Sequence, residues 1–379
     1  MPGSSRGRGS LAAPGRPLVA AGARALLAVL LVVVTSLAGV ALAAPDSAIG
    51  RAARGLASAP ETASGSAWAM GTYVRIEASG PGAREAVERA LARFAELEAL
   101  LDPARPSSDV ARLALAAGSG EPAPVSRDTI ALLAVADEVH RLSGGAFDLT
   151  VGPLVTLWGF GSGAEPARTA PPDAETVAQA LSLVAWDEVS WDPATGTARL
   201  GLAGQTLATG GIAKGYALDD AAAILRDAGV RRALLDAGGS LYLLGARDDQ
   251  GRPWRVGVRH PRGEGYIGVL EVPADRAVAT SGDYERYFEA DGVRYHHILD
   301  PRTGRPARRA VSVTVVGPSA TLADALSTAL FVLGPEEGLH LLEGLPGYEA
   351  LFVDTEGALH MTPGLEAMFR PVDGGGSGG

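Results

Sequence analysis

The order in which hydrophobic periodicity changes along the chain is the tightest constraint on its fold. After a strand-like opening, AWAMGTYVRIEASG, apolar residues recur at helical spacing through PGAREAVERALARFAELEALLDP, RDTIALLAVADEVHRLSGG and DAETVAQALSLV. Ser126 is placed to cap the second of these helices and Gly144 to stop it. From residue 188 onward the period shortens. EVSWDPATGTARLG reads as a hairpin, and RRALLDAGGSLYLLGAR, WRVGVRH, YIGVLEV, AVATSGDYERYF, VRYHHILDP and AVSVTVVG read as strands. A last helix, TLADALSTALFVLG, precedes YEALFVDTEGALHMT. Helices early and closely spaced strands late predict an α+β fold with a largely antiparallel sheet, because a doubly wound sheet alternates strand and helix throughout.

The ends of the chain obey different rules. Arg6, Arg8, Arg16 and Arg24 precede the uncharged run ALLAVLLVVVTSLAGVALA, which closes on Ala41-Leu42-Ala43. This is the pattern of a secretory signal peptide, and the run is also long enough for an N-terminal membrane anchor. Either reading places the rest of the protein outside the cytoplasm. Residues 44–65 are small, polar and punctuated by Pro and Gly, as in a tether, and 372–379 read as a Gly-rich tail. The domain is expected over 66–371. Without cysteine, it has neither disulfides nor thiolate metal sites, and its stability rests on core burial. Losing the four N-terminal arginines would move the formal charge from -10 to -14, which leaves no basic footprint for nucleic acid.

Against that acidic background, Lys214 is the only lysine among 33 basic residues. It lies in TGGIAKGYALD, where Gly210, Gly211 and Gly215 permit close backbone approach and the following helix offers free amides at its N-terminus. An ammonium beside such amides suits an anionic group. The segment lacks the GxxxxGK[ST] spacing of a P-loop, and GFGSG after Trp158 does not make a dinucleotide fingerprint. Asp324 and Thr328 stand four apart, on one face of the last helix, and offer the hard oxygen ligands that Mg²⁺ prefers. Thr321 and Asp324 fit a capping box equally well. His296 and His297 are adjacent in a strand, so they face opposite sides.

Taken in order, MGTYVRI (70–76), SGGAFDLTVGPLVTLWGFG (143–161), GGIAKGYALD (210–219), HHILDPRTGRPA (296–307) and ADALSTALFVLG resemble the ApbE family of exported FAD:protein FMN transferases. The resemblance runs from about Met70 to Phe369. It implies a T-fold-like core, FAD as substrate, Mg²⁺ as cofactor, and an acceptor protein carrying Asp-Gly-x-Thr/Ser-Gly-Ala/Ser-Thr. It further implies that Met70, Ala146, Phe147, Asp148, Ala208, Lys214 and Ile298 lie at the cofactor. Gly211, through its carbonyl, would join Asp324 and Thr328 at the metal, with Asp324 and His297 as catalytic groups. TSGDYERYF (280–288) also matches, without an individual role for any residue. Thr195, in WDPATGTARL, is no acceptor: Pro193 and Ala198 break the motif, and a hairpin turn explains the segment.

Two departures bear on activity. Ala208-Thr209 stands where the family has Asp-Leu, and Ala114 stands where it has asparagine. Each removes a polar group that could bear on cofactor affinity or on the balance between transfer and hydrolysis. Two alternatives to transfer therefore stay open: a metal-dependent FAD pyrophosphatase releasing FMN and AMP, and a non-catalytic FAD-binding protein.

Overall fold

Eight strands follow one another across a single sheet in the order in which they occur in the chain. They are β1 (Thr62–Ala69), β2 (Thr72–Ser79), β3 (Arg232–Ala237), β4 (Ser240–Leu244), β5 (Arg276–Gly282), β6 (Ser312–Gly317), β7 (Glu349–Val353) and β8 (Leu359–Met361). Every neighbouring pair is antiparallel. The computed structural model describes residues 61–161 and 168–372. The signal or anchor segment and most of the tether and tail lie outside them. The fold is α+β, as the change of period predicted.

Four long helices matter for the site: α1 (Ala83–Leu101), α2 (Arg127–Leu142), α3 (Ala213–Asp227) and α4 (Ala320–Glu343). Ser126 caps α2 by accepting from the Thr129 N–H, and Gly144 follows its end at φ 57°, the left-handed stop that favours glycine. In α4 the helix predicted to end at Gly334 resumes after it. Gly334 is non-helical (φ 79°) and Pro335 starts a second helical stretch, where a missing N–H costs nothing.

Alternation along the strands sends side chains to two separate cores. Ala277, Ala279, Val313, Val315, Ala350 and Phe352 pack with the helices, while Val278, Val316, Leu351 and Val353 pack on the other face with Val258, Leu270 and Phe369. A small three-stranded sheet, 254–259 with 266–272 and 369–371, closes that second face.

Two boundaries differ from the sequence reading. Thr62–Gly65, expected in the tether, belong to β1 and pair with Ile76–Ser79. Their small side chains reflect packing: a Cβ on Gly65 would lie 2.8 Å from Leu91 and 2.9 Å from Val87 of α1. At the other end Val372, expected in the tail, still donates its N–H to the Ile267 carbonyl at 3.2 Å.

Candidate active site

The glycine loop and α3 meet the first turns of α4 along a short ladder. Lys214 lies in the first turn of α3, where its Nζ donates to the Gly210 carbonyl (3.1 Å) and sits 3.8 Å from Asp324 Oδ2. The Gly215 N–H donates to the same carboxylate oxygen at 3.0 Å. A Cβ on Gly215 would overlap the Ala320 carbonyl, so only glycine allows this approach. One turn earlier, a Cβ on Gly211 would be 3.1 Å from Thr328 Oγ1 and 3.4 Å from the Phe147 ring. Gly211 thus faces Thr328 and Gly215 faces Asp324, which means that the two segments run antiparallel.

The capping-box alternative for Asp324 is not what α4 does. Ser319 is its N-cap, accepting from the Leu322 N–H, and the Thr321 hydroxyl donates to Asp219. Asp324 is buried, and its Oδ1 receives no hydrogen bond from the described residues. Among those residues no cluster of three or more His, Asp or Glu could hold a metal. One carboxylate, one hydroxyl and a nearby backbone carbonyl suit Mg²⁺, which takes few protein oxygens and fills its shell with water and substrate phosphate.

Ser281, from the TSGDYERYF stretch, completes this wall. Its hydroxyl is 2.8 Å from Ser327 Oγ and 3.4 Å from Thr328 Oγ1. The stretch matched the family in sequence, but nothing in it distinguished Ser281 from its neighbours.

The adjacent histidines divide, although not by strand alternation: the strand expected to run through both of them ends at His296, and His297 follows in a bend. His296 is buried, with Nε2 donating to the Ala307 carbonyl (2.7 Å) and Nδ1 accepting from the Ile298 N–H (3.3 Å). Its role is structural: burial pushes its pKa down to about 4, and its ring packs edge-on against Phe331 of α4. His297 is half-buried, and its Nδ1 faces the Arg286 carbonyl at 3.3 Å, which leaves Nε2 as the acceptor nitrogen. Burial first, then the positive charges of Arg286, His296 and Lys214, lowers its pKa. Ile298 is buried beside them and accepts from the Ala307 N–H.

The motifs travel together for a physical reason. Trp158 Nε1 donates to the Gly304 carbonyl (2.8 Å), Arg286 donates to the Phe160 carbonyl (3.0 Å), and Phe160 packs edge-on against His297. WGFG and DPRTG are therefore two sides of one contact.

Ala146, Phe147 and Asp148 are buried, with the Phe147 ring beside Gly211. Asp148, expected to accept from the cofactor, has Oδ1 engaged by the Thr150 N–H (2.7 Å) and hydroxyl (2.6 Å), while Oδ2 lies 3.7 Å from His140 Nδ1. A buried carboxylate takes donors from its own loop, and here burial still raises its pKa against those bonds. Met70 occupies the tip of the β1–β2 hairpin at φ 52°, followed by Gly71 at φ 68°, with its N–H on Glu98 Oε1 (2.8 Å). A left-handed methionine costs about 1 kcal/mol, which the two-residue turn imposes. No hydrogen bond or ion pair among the described residues ties Met70 to the Lys214–Asp324 pair.

Ala208 is held by its backbone, the N–H donating to the Leu149 carbonyl at 2.7 Å, while Thr209 donates to the Leu101 carbonyl at 2.9 Å. Ala114 lies in a helix, Asp109–Ala116, that the Ser108 cap could have revealed. Thr195 is exposed in a hairpin turn and bonds Asp192 (2.8 Å). A surface recess of about 490 Å³ is on the opposite sheet face, lined by Leu234, Leu241, Trp254 and Val278 among others and by none of these site groups.

Comparison with known proteins points the same way. The ApbE family pattern matches residues 70–352. An FAD:protein FMN transferase of Treponema pallidum is 38% identical over 316 residues, covering 79% of this chain and 86% of that relative. The FAD:protein FMN transferase of Vibrio cholerae is 40% identical over 237 residues, 59% of this chain and 66% of that relative. The solved structure of the ApbE protein from Thermotoga maritima superposes with a TM-score of 0.75 at 36% identity, covering 82% of this chain and 100% of that one. The flavin transferase ApbE from Vibrio cholerae superposes at 0.72 with 30% identity, covering 82% and 99%.

Proposed function

The chain belongs to the ApbE family, and we propose that it is a Mg²⁺-dependent FAD:protein FMN transferase acting on an exported or membrane protein. The observation that carries this reading is the convergence on Asp324 of the Gly215 N–H and the Lys214 ammonium, with Thr328 one turn away facing Gly211. In the reaction, the hydroxyl oxygen of an acceptor threonine or serine attacks the FMN-side phosphorus of FAD. The bond from that phosphorus to the bridging oxygen breaks, AMP leaves, and FMN stays on the acceptor as a phosphoester.

Phosphoryl transfer of this kind asks for positioning and charge neutralisation more than for covalent help. Lys214 supplies a mobile point charge that orients the diphosphate. Asp324, Thr328 and the Gly211 carbonyl would hold Mg²⁺, which supplies neutralisation of the diphosphate charge when bound. His297 offers Nε2, the ring nitrogen not engaged with the Arg286 carbonyl, as acceptor for the hydroxyl proton. The arginine-led apolar segment at the N-terminus would deliver the domain outside the cytoplasm, either cleaved or as an anchor. No helix among the described residues is long and apolar enough to cross a membrane.

Incubation of the protein with FAD, Mg²⁺ and a peptide carrying Asp-Gly-x-Thr-Gly-Ala-Thr should yield a flavin-labelled peptide and one AMP per label. Release of FMN and AMP without the peptide would assign hydrolysis instead. Tight FAD binding with neither product would leave a binding protein.

A further inference from the structure

The ladder between α3 and α4 has a third rung outside the site. Counting along α3, Gly211 faces Thr328, Gly215 faces Asp324, and four residues further on Asp219 faces the start of α4. There the Asp219 carboxylate accepts four hydrogen bonds. The Ala320 N–H reaches Oδ1 (2.8 Å), while the Ser319 hydroxyl (2.7 Å), the Thr321 N–H (2.9 Å) and the Thr321 hydroxyl (2.7 Å) reach Oδ2. One side chain of α3 thus satisfies two amides at the N-terminus of another helix, where negative charge is also favoured by the helix dipole. Its partners precede Asp324 by only three to five residues.

We propose that Asp219 is the positioning residue that sets how far Asp324 and Thr328 stand from the glycine loop. The hydrogen-bond partners of Asp219 are Ser319, Ala320 and Thr321, none of them among the residues read as metal ligands. It fixes the axial position of α4 against α3, and through that the two rungs that hold chemistry. Without it, Ser319 alone caps α4, and the Gly215 N–H bond to Asp324 is left to hold the register of α4 against α3. The inference rests on reading Asp324, Thr328 and the Gly211 carbonyl as Mg²⁺ ligands. It predicts a specific split: loosening the third rung weakens metal binding and turnover more than FAD binding, because Lys214 and Gly210 lie on α3 and its loop and do not move with α4.

The test uses the whole protein, with Asp219→Asn as the main variant. Binding of Mn²⁺ as a probe is measured by electron paramagnetic resonance without FAD, and kcat, KM for FAD and the half-saturating Mg²⁺ concentration are measured with it. The expected result is metal affinity about tenfold weaker, with a matching rise in half-saturating Mg²⁺ and KM for FAD changed less than about threefold. Arg93→Met is the control. Arg93 bridges Asp220 of α3 (2.9 Å) and Asp128 of α2, so its loss lowers Tm without touching the ladder. An equal shift in metal affinity in Arg93→Met at similar loss of Tm would overturn the proposal, as would unchanged metal affinity in Asp219→Asn. If Asp219→Asn does not fold, Thr321→Val removes one of the four bonds and should give a smaller shift of the same kind; no shift there would equally sink it. A wild-type protein that neither binds Mn²⁺ nor turns over FAD would instead refute the metal-dependent function and not the ladder.

Discussion

The two walls of the site are made of different material. The α3 wall works through backbone: the Gly210 carbonyl, the Gly215 N–H, and the room left by absent side chains at Gly211 and Gly215, with Lys214 as its one charged group. The α4 wall works through side chains, Asp324 and Thr328, backed by Ser281 and Ser327. A wall of backbone tolerates no added atoms, whereas a wall of side chains tolerates atoms but not altered chemistry. Substitutions should therefore fail for opposite reasons on the two sides.

The largest effect is expected on the side-chain wall. Asp324→Ala should cut turnover about a thousandfold while changing FAD affinity less than about threefold, read by product formation and flavin fluorescence titration. A parallel loss of FAD binding would mean that the walls do not divide the work. On the backbone wall, Gly215→Ala should destabilise the protein by about 3 kcal/mol in urea unfolding, because its Cβ must displace the Ala320 carbonyl. Stability within about 0.5 kcal/mol of wild type would show that α3 and α4 separate easily, against the ladder.

A pH dependence follows from His296, whose ring supports α4 through Phe331. Its folded pKa of about 4 lies below the ordinary value of 6.5, so the unfolded chain binds the proton more readily between these values. Stability from this group is complete above about pH 6.5 and is lost as pH falls through 4, by up to about 3 kcal/mol. His296→Gln should flatten that part of the Tm-versus-pH curve, and an unchanged slope would assign the acid sensitivity to other groups. Lys214→Ala should weaken FAD binding about tenfold, and Lys214→Arg should not restore it fully, since a planar fork cannot follow the ammonium's path to the Gly210 carbonyl. The smallest effect belongs to Thr195→Ala: the exposed hairpin hydroxyl lies on neither wall, and flavin labelling of the peptide should stay within about twofold.

Legibility in the sequence followed the same division. Glycines that must be glycine are visible in a chain, so the α3 loop and the stop at Gly144 could be read directly, whereas AWAMGTYVRIEASG, read as one strand, folds back at Met70-Gly71 into β1 and β2. A carboxylate in the first turn of a helix has two readings, and the role of Asp324 was ambiguous with a capping box until Ser319 was seen to cap α4. Strand alternation predicted that His296 and His297 part company, but the strand ends at His296, and burial decided that His296 is the structural one. Thr62–Gly65 looked like a tether because small residues serve both tethers and close helix–strand contacts.

What the sequence by itself determined was the class of fold and the identity of the motifs. Hydrophobic period and glycine placement are local properties, and the family resemblance rests on residue order. What only the tertiary structure decided was which groups share a point in space: Asp324 with Gly215 and Lys214, Thr328 with Ser281, and Asp219 with the start of α4. Those partners are 47 to 110 residues apart, and the packing of α3, α4 and the sheet is what brings them together.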